Sequence, residues 1–185
     1  MRILVTGTSG GIGGAVRRAA AAAGHDVVEL NRGGFDAPLA GPFDAVVFAP
    51  GTCPVKPLTA MADAEFEETL RVNCGLFVKL MRRIVGERMN GPKGMKVVAI
   101  SSVSAVEGWA GGAAYCASKG ALSAVCRALD AELGPKGISV VALEPRYVKT
   151  KMFDACAGRM GVDPKLAQSP ESFAAEILSC LKSNV

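Results

Sequence analysis

Short apolar runs alternate along the chain with longer stretches in which apolar residues recur every three or four positions. The runs lack alternation, as in parallel strands that are buried on both faces. They are Arg2–Thr6, Asp26–Leu30, Asp44–Ala49, Lys96–Ile100 and Ile138–Leu143. The longer stretches predict helices at Ile12–Ala23, about Ala64–Met89, about Tyr115–Leu133 and about Pro170–Lys182. This order predicts right-handed βαβ units, and therefore an α/β fold with a doubly wound parallel sheet and helices on both faces.

The length and composition fit one domain. The chain has 185 residues, of which 50% are hydrophobic and 21% are charged, enough to bury a core but short for two domains. The net charge of +4 comes from Lys and Arg residues in ones and twos. This disfavours nucleic-acid binding, because proteins of that class concentrate their positive charge. No apolar stretch approaches the roughly 18 residues of a membrane span, so no membrane partner is expected.

The cysteines indicate neither a metal site nor an oxidising compartment. Six are present, none in a C-x-x-C pair, and His25 is the only histidine, so no metal site is expected. Met1 leads directly into the first strand, without the charged and apolar segments of a secretory leader. We therefore expect a cytoplasmic protein whose thiols are reduced.

A glycine-rich segment, Thr6–Gly13, joins the first strand to the first helix. Glycines allow a sharp turn and let backbone N–H groups approach a pyrophosphate, towards which the helix directs its positive end. A tight strand–helix connection is the alternative, but the position in the first βαβ unit favours a nucleotide site. The candidate cofactor contacts here are Gly7, Ser9, Gly11, Ile12 and Gly13.

Tyr115 and Lys119 lie four residues apart, on the same face of a predicted helix. An ammonium beside a phenol favours the phenolate, so we expect the pKa of Tyr115 to fall below its usual ~10. Such a Tyr exchanges protons near neutral pH. The Y-x-x-x-K spacing is common by chance, and an exposed helix pair is the alternative. Ser102 ends the fourth strand thirteen residues earlier, where doubly wound sheets bind ligands, and its hydroxyl can bond a substrate carbonyl.

Five segments together resemble the short-chain dehydrogenase/reductase family. Thr6–Gly13 resembles its T-G-x-x-x-G-I-G motif, Arg71–Asn73 its V-N, and Ile100–Ser102 its I-S-S. Tyr115–Lys119 resembles Y-x-A-S-K, and Glu144–Met152 resembles P-G-x-V-x-T-x-M. The segments follow the family order over residues 1 to about 152. The resemblance implies a Rossmann fold and hydride transfer between a nicotinamide and a small carbonyl compound or alcohol.

The resemblance also implies roles for individual residues. Tyr115 would give or take the proton, Ser102 would hold the carbonyl, and Lys119 would lower the Tyr115 pKa and bond the nicotinamide ribose. Asn73 would hold a water that links Lys119 to solvent, or would simply lie at a kink in its helix. Strand alternation directs Ser101 to the other face, so no chemistry is assigned to it.

Two further segments supply candidate cofactor contacts. Thr150 and the backbone of Val148, after Pro145, would bind the carboxamide. Phe48–Gly51 stands where the family has N-N-A-G. The candidates from these segments are Ala49, Pro50, Gly51, Pro145, Val148 and Thr150.

The end of the second strand predicts NADP(H) rather than NAD(H). Asn31 and Arg32 stand where a carboxylate would accept from the ribose 2′-hydroxyl of NAD, and Arg32 can pair with a 2′-phosphate. The alternative is an ordinary solvated Arg. Gly10 lies where NADP-dependent members often carry Lys or Arg, and Glu29 comes too early in the strand.

The chain departs from the family pattern after this strand. Only twelve residues run from Arg32 to Phe43, too few for the usual helix, strand and second helix. We expect a loop, a stub of strand at Gly34–Asp36, and a turn. Asp36 would then accept from the adenine amino group, or be a simple turn aspartate. Arg146 replaces the Gly of the family's P-G pair. It would contact a cofactor phosphate or an acidic substrate, or swing towards solvent, and the last is preferred.

The residues around the expected substrate site are apolar. Val103–Gly112 and Met152–Met160, the latter in a short C-terminal lid, predict an apolar ketone or 3-oxoacyl-type substrate. The long helices predict a homodimer, possibly a homotetramer. The alternative function is a non-catalytic NADP(H)-binding regulatory protein or subunit, against which the complete Ser-Tyr-Lys-Asn set argues.

Overall fold

The computed structural model describes residues 1–31, 33–91 and 94–182. Its five strands form one parallel sheet in the order β2-β1-β3-β4-β5. The strands are β1 (Arg2–Thr6), β2 (Asp26–Leu30), β3 (Ala45–Phe48), β4 (Met95–Ile100) and β5 (Ile138–Leu143). All five predicted strands are present, with bounds that differ by at most one residue at either end. The predicted α/β fold is confirmed.

Helices cover both faces of the sheet. They are α1 (Gly11–Ala22), α2 (Asp63–Leu70), α3 (Leu76–Gly86), α4 (Ala113–Leu133), α5 (Lys151–Met160) and α6 (Pro170–Lys182). Alternate residues of each strand enter different cores: Val46 and Phe48 of β3 pack with α3 and α4, whereas Val47 packs with α1 and α6. Both faces of the strands are thus buried, which is why their sequences show no alternation.

Two helical features differ from the expectation. The single helix predicted at Ala64–Met89 is α2 and α3, joined by a π-helical turn at Arg71–Gly75. The helix α5 lies within a region that the sequence analysis treated only as a lid. The Thr150 hydroxyl caps it by accepting from the Phe153 backbone N–H at 3.2 Å.

The connection from β2 to β3 contains no strand within its described residues, so the strand stub predicted at Gly34–Asp36 is wrong. Gly34–Asp36 forms one 3₁₀ turn instead. Phe35, which is 5% exposed, turns its ring inward and lies edge-on to Phe48, with 6.5 Å between centroids. Arg83 of α3 donates to the Phe35 carbonyl at 2.7 Å. One buried ring therefore closes the shortened connection and leaves β2 at the edge of the sheet.

No helix in the described parts of the chain is both long enough and apolar enough to cross a membrane.

Replacing Phe35 by Ala should destabilise the fold, because its ring fills the core beside Phe48. We expect the free energy of unfolding to fall by about 3 kcal/mol in urea denaturation. Leu58→Ala is the control, since Leu58 is 78% exposed and its loss should change stability by about 0.5 kcal/mol or less. Equal effects of the two substitutions would contradict the packing role of Phe35.

Candidate active site

Two adjoining clefts open at the carboxyl ends of the strands. The larger has a volume of about 740 Å³ and is bordered by the glycine-rich segment, the end of β3 and the π-helical turn. The smaller, of about 120 Å³, lies between Ser102, Tyr115 and α5. Six residues border both clefts: Ile12, Ala49, Pro50, Gly51, Thr150 and Met152. A ligand in the larger cleft can therefore reach a second molecule in the smaller one.

Close backbone approaches explain the glycines of the first turn. Gly7 has φ +70°, and a Cβ there would lie 2.9 Å from the Pro50 nitrogen. A Cβ at Gly13 would lie 2.3 Å from the Gly7 carbonyl oxygen. Gly7 and Gly11 line the larger cleft together with Ser9 and Ile12, whereas Gly13 packs behind Gly7. The backbone N–H groups at the start of α1 thus face the cleft, as a phosphate group requires.

Asn31 holds the glycine-rich segment in place. Its side-chain oxygen accepts from the Ser9 backbone N–H at 3.2 Å, and its amide donates to the Thr8 hydroxyl at 2.8 Å. The Thr8 hydroxyl in turn donates to the Glu29 carboxylate at 2.5 Å. The sequence analysis missed this bracing role of Asn31. Arg32, on which the expected NADP(H) preference depends, lies outside the described residues.

The larger cleft has a positively charged border. Arg18, Arg71, Lys79 and Lys151 line it, and Asp36 is the acidic residue among the described lining residues. Arg18 pairs with Glu171, Arg71 with Glu68 and Lys79 with Asp36. Basic groups at such a border suit a ligand that carries phosphate groups. The sequence analysis assigned none of the four to a cofactor site, because the segments that carry them are distant in sequence.

Asp36 lines the larger cleft, as expected of an adenine contact, but it has a partner within the protein. Its side chain is 81% exposed and lies 2.5 Å from the Lys79 ammonium. The hydrogen bond from Lys79 holds the pKa of Asp36 below its ordinary value. Its carboxylate is therefore charged and positioned by α3.

Ser102 and Tyr115 meet at the inner end of the smaller cleft. Ser102 follows β4 and is 5% exposed, while Tyr115 lies in the first turn of α4. Both residues border this cleft. Burial raises the pKa of Tyr115, the nearby Cys53 thiol adds to the rise, and the Ser102 hydroxyl opposes it. The expected lowering of this pKa is therefore wrong for the folded chain, and Tyr115 holds its proton at neutral pH.

Lys119 lies beside this pair and is 4% exposed. Its ammonium donates to the Ile100 carbonyl at 2.7 Å and lies 5.6 Å from the centre of the Tyr115 ring. Burial lowers the pKa of Lys119 to about 8. The expected proximity of Lys119 and Tyr115 is confirmed, although desolvation, and not the ammonium charge, dominates the pKa of the phenol.

Asn73 lies in the π-helical turn and is fully buried. Its oxygen accepts from the Thr52 backbone N–H at 2.8 Å, and its amide donates to the Thr52 carbonyl at 2.9 Å and the Ser118 hydroxyl at 2.8 Å. A Cβ at Gly51 would lie 3.7 Å from the Asn73 oxygen and 3.9 Å from the Lys119 nitrogen. Asn73 therefore joins the segment after β3 to α4, beside Lys119.

Ser101 borders the smaller cleft, but its hydroxyl is engaged within the protein. Its hydroxyl donates to the Lys119 carbonyl at 3.1 Å and lies 2.8 Å from the Ser123 hydroxyl. It therefore fastens β4 to α4.

The smaller cleft is mainly apolar on the side opposite Ser102. Its bulky lining residues are Trp109, Tyr147, Met152, Phe153 and Met160. Trp109 lies 6.4 Å from Tyr115 between ring centres and donates to the Ser104 hydroxyl at 3.1 Å. This apolar lining suits an apolar group of a ligand beside the Ser102 and Tyr115 hydroxyls.

The segment after β5 runs past both clefts. Pro145 and Val148 line the smaller cleft, and parallel pairing with Gln168 holds Val148 in place. Arg146 is 57% exposed and pairs through two hydrogen bonds with Glu107. It turns outward as expected, but towards a carboxylate.

The described residues contain no group of three or more His, Cys, Asp or Glu side chains that could hold a metal ion.

Sequence comparison matches residues 35–158 to the model of the short chain dehydrogenase family. The chain is 37% identical over 123 residues to the short-chain reductase protein NovJ of Streptomyces niveus, covering 66% of this chain and 46% of that protein. It is 32% identical over 94 residues to the 3-oxoacyl-(acyl-carrier-protein) reductase FabG of Rickettsia felis, covering 51% and 39%. The matched segments thus span less than half the length of either relative.

Structure comparison finds the same fold in an actinorhodin polyketide ketoreductase with NADPH. The TM-score is 0.80 at 18% identity, over 97% of this chain and 89% of that one. At this identity the likeness concerns the fold.

The buried Lys119 should make stability depend on pH. Its pKa falls from 10.5 to about 8, so below about pH 8 the folded chain holds a buried charge at a cost of about 3 kcal/mol. This cost disappears as the pH rises towards 10.5. The free energy of unfolding of the wild type, relative to Lys119→Met, should therefore increase over this range. Urea denaturation of both proteins at each pH measures the difference, and a difference independent of pH would contradict the burial of the ammonium.

Proposed function

Because this chain belongs to the short-chain dehydrogenase/reductase family, we propose that it is an NADP(H)-dependent oxidoreductase that interconverts a carbonyl group and a secondary alcohol. The observation that carries the proposal is that Ser102, Tyr115 and Lys119 border one cleft, with the Lys119 ammonium 5.6 Å from the centre of the Tyr115 ring. They lie where a cleft bordered by basic residues meets a mainly apolar one. A nucleotide cofactor and a carbonyl compound can therefore meet at these hydroxyls.

The larger cleft is the proposed cofactor site. Its glycine-rich turn can approach a pyrophosphate closely, and its basic border favours phosphate groups. The candidate contacts Ala49, Pro50, Gly51 and Thr150 border both clefts, at the end where the nicotinamide would lie. The cofactor supplies or accepts a hydride there. Asp36, steadied by Lys79, is the proposed adenine contact.

Ser102 and Tyr115 are the proposed catalytic residues. The Ser102 hydroxyl holds the substrate oxygen, and the Tyr115 phenol gives a proton to that oxygen as negative charge develops on it. Since burial raises the pKa of Tyr115, the phenol carries its proton at neutral pH and acts as an acid. The Lys119 ammonium binds the cofactor ribose and stabilises the phenolate that remains.

Asn73 is the proposed link between Lys119 and solvent. Its side-chain oxygen and the Lys119 nitrogen approach the same point beside Gly51. A water held there would return a proton to Tyr115 through Lys119.

The substrate is proposed to be an apolar ketone or a 3-oxoacyl-type compound. The lining by Trp109, Phe153 and Met160 supports an apolar group next to the carbonyl. Two curated relatives are reductases, and one of them acts on a 3-oxoacyl group. In this proposal α5 is the short lid that completes the substrate site of one cofactor-binding domain.

The setting and assembly are also proposals. The six cysteines, all among the described residues, form no disulfide, which supports a reducing cytoplasm. Phe66 of α2 and Val78 of α3 are 36% and 44% exposed, which supports pairing of these helices with a second copy in a homodimer.

Light scattering by the purified chain measures its mass, and a monomer at high concentration would contradict the pairing.

Tyr115→Phe removes the proposed proton donor and keeps the ring. We expect the rate of NADPH oxidation with aldehydes, ketones and 3-oxoacyl thioesters to fall at least about 10²-fold, while NADPH binding by fluorescence titration changes little. Equal turnover by the variant would show that Tyr115 is not the acid. Tight NADPH binding by the wild type, without turnover of any carbonyl compound, would favour a regulatory protein or subunit instead.

Arg32→Gln tests the cofactor preference. If Arg32 pairs with the 2′-phosphate, its loss should raise the KM for NADPH about 10- to 100-fold and leave the KM for NADH nearly unchanged. Arg82→Gln is the control, because Arg82 is an exposed arginine of α3 outside the lining of either cleft. A parallel change for both cofactors would contradict recognition of the phosphate.

A further inference from the structure

Two cysteines from distant parts of the chain lie together in the smaller cleft. Cys53 belongs to the segment after β3, and Cys156 lies on α5. Both line the cleft. The Cys156 thiol donates to the Cys53 carbonyl at 3.4 Å across 103 residues of sequence. The two cysteines are therefore neighbours in the fold and border the same cleft.

The four other cysteines have different surroundings. Cys74 and Cys126 are buried in the apolar core under α4. The Cys116 thiol donates to the Glu107 carbonyl at 3.6 Å, and Cys180 lies on α6 in the opposite layer. None of these four lines either cleft. A small oxidant that enters the smaller cleft meets Cys53 and Cys156 together.

We propose that Cys53 and Cys156 form a redox modification site, which a peroxide converts into a disulfide that closes the smaller cleft. The closure of the carbonyl site rests on the proposed function, whereas formation of the disulfide does not.

The reaction is balanced by the peroxide alone. One thiol loses its proton and attacks a peroxide oxygen, the O–O bond breaks, and a sulfenic acid and one water form. The second thiol then attacks the sulfenic sulfur, the S–S bond forms, and a second water leaves. The two thiols lose two electrons in total, and the peroxide gains them.

Burial slows attack by one of the two thiols. It raises the pKa of the Cys53 thiol, and the adjacent Cys156 adds to the rise. Because the thiolate is the reactive form, attack of Cys53 on the peroxide should be slow at neutral pH and should accelerate as the pH rises.

The disulfide would act on the site through α5. This helix carries Met152, which borders both clefts, and Phe153 and Met160, which border the smaller one. A covalent bond from Cys156 to the segment after β3 would hold α5 against that segment. Substrate could then not enter, and product could not leave, the site beside the Tyr115 hydroxyl.

Mass spectrometry tests the disulfide directly. The purified chain is treated with hydrogen peroxide, its remaining thiols are alkylated under denaturing conditions, and its peptides are mapped. We expect a product that has lost two hydrogen atoms, with the Cys53 and Cys156 peptides linked, and that dithiothreitol reverts. Cys53→Ser and Cys156→Ser should each abolish the link, and Cys116→Ser, a matched change next to Tyr115, should preserve it. A link between other cysteines, or sulfinic acid without a link, would overturn the proposal.

An activity measurement tests the closure separately. Peroxide should remove most of the NADPH-dependent carbonyl reduction by the wild type, and dithiothreitol should restore it. Cys156→Ser should keep its own starting activity through the same treatment. Full activity of the linked protein would overturn the closure. A wild type that forms the link but never reduces a carbonyl would contradict the proposed function and leave the modification site intact.

Discussion

A buried ammonium at the end of a parallel strand is the constraint on which the candidate site depends. The Lys119 side chain donates to the Ile100 carbonyl of β4, and the Ser101 hydroxyl donates back to the Lys119 carbonyl of α4. These reciprocal hydrogen bonds fix the position of α4 along the end of β4. Ser102 follows the strand and Tyr115 lies one turn before Lys119, so both are brought to the border of the same cleft. The ammonium loses solvation as a result, which is why its pKa falls to about 8.

The connection between β2 and β3, which borders the larger cleft, is also held by a few contacts. A full connection between β2 and β3 would cover the edge of the sheet with further elements, whereas here one aromatic ring closes it. Phe35 packs on Phe48, which in turn packs on Phe77 of α3. Arg83 holds the backbone of the turn, and Lys79 holds Asp36 at the border of the larger cleft. The helix α3 thus supplies positioning contacts to a connection too short to form its own core.

Much of the fold could be predicted from the sequence, because the relevant signals are local. An apolar run without alternation identifies a strand buried on both faces, and all five such runs are strands. The two wrong predictions concern segments whose conformation depends on packing against distant residues. The run Arg71–Gly75 is helical by periodicity, and only its packing against Thr52 and Ser118 through Asn73 shows where the π-helical turn lies. Gly34–Asp36 is expected to be the remnant of a strand that the family has in this connection, yet it is a 3₁₀ turn in which Phe35 is buried.

The sequence by itself determined the order of strands and helices and the glycine-rich turn, since these depend on residue type and short-range spacing. It also predicted Ser102, Tyr115, Lys119 and Asn73 as site residues, through resemblance to a family. The tertiary structure alone decided the electrostatics of the site. The proximity of Lys119 predicts a lowered pKa for Tyr115, but desolvation raises it, and desolvation depends on every element packed around the phenol. The tertiary structure also decided the contacts of Asp36 with Lys79 and of Cys53 with Cys156. These residues are far apart in the chain, and only the packing of helices on the sheet brings them together.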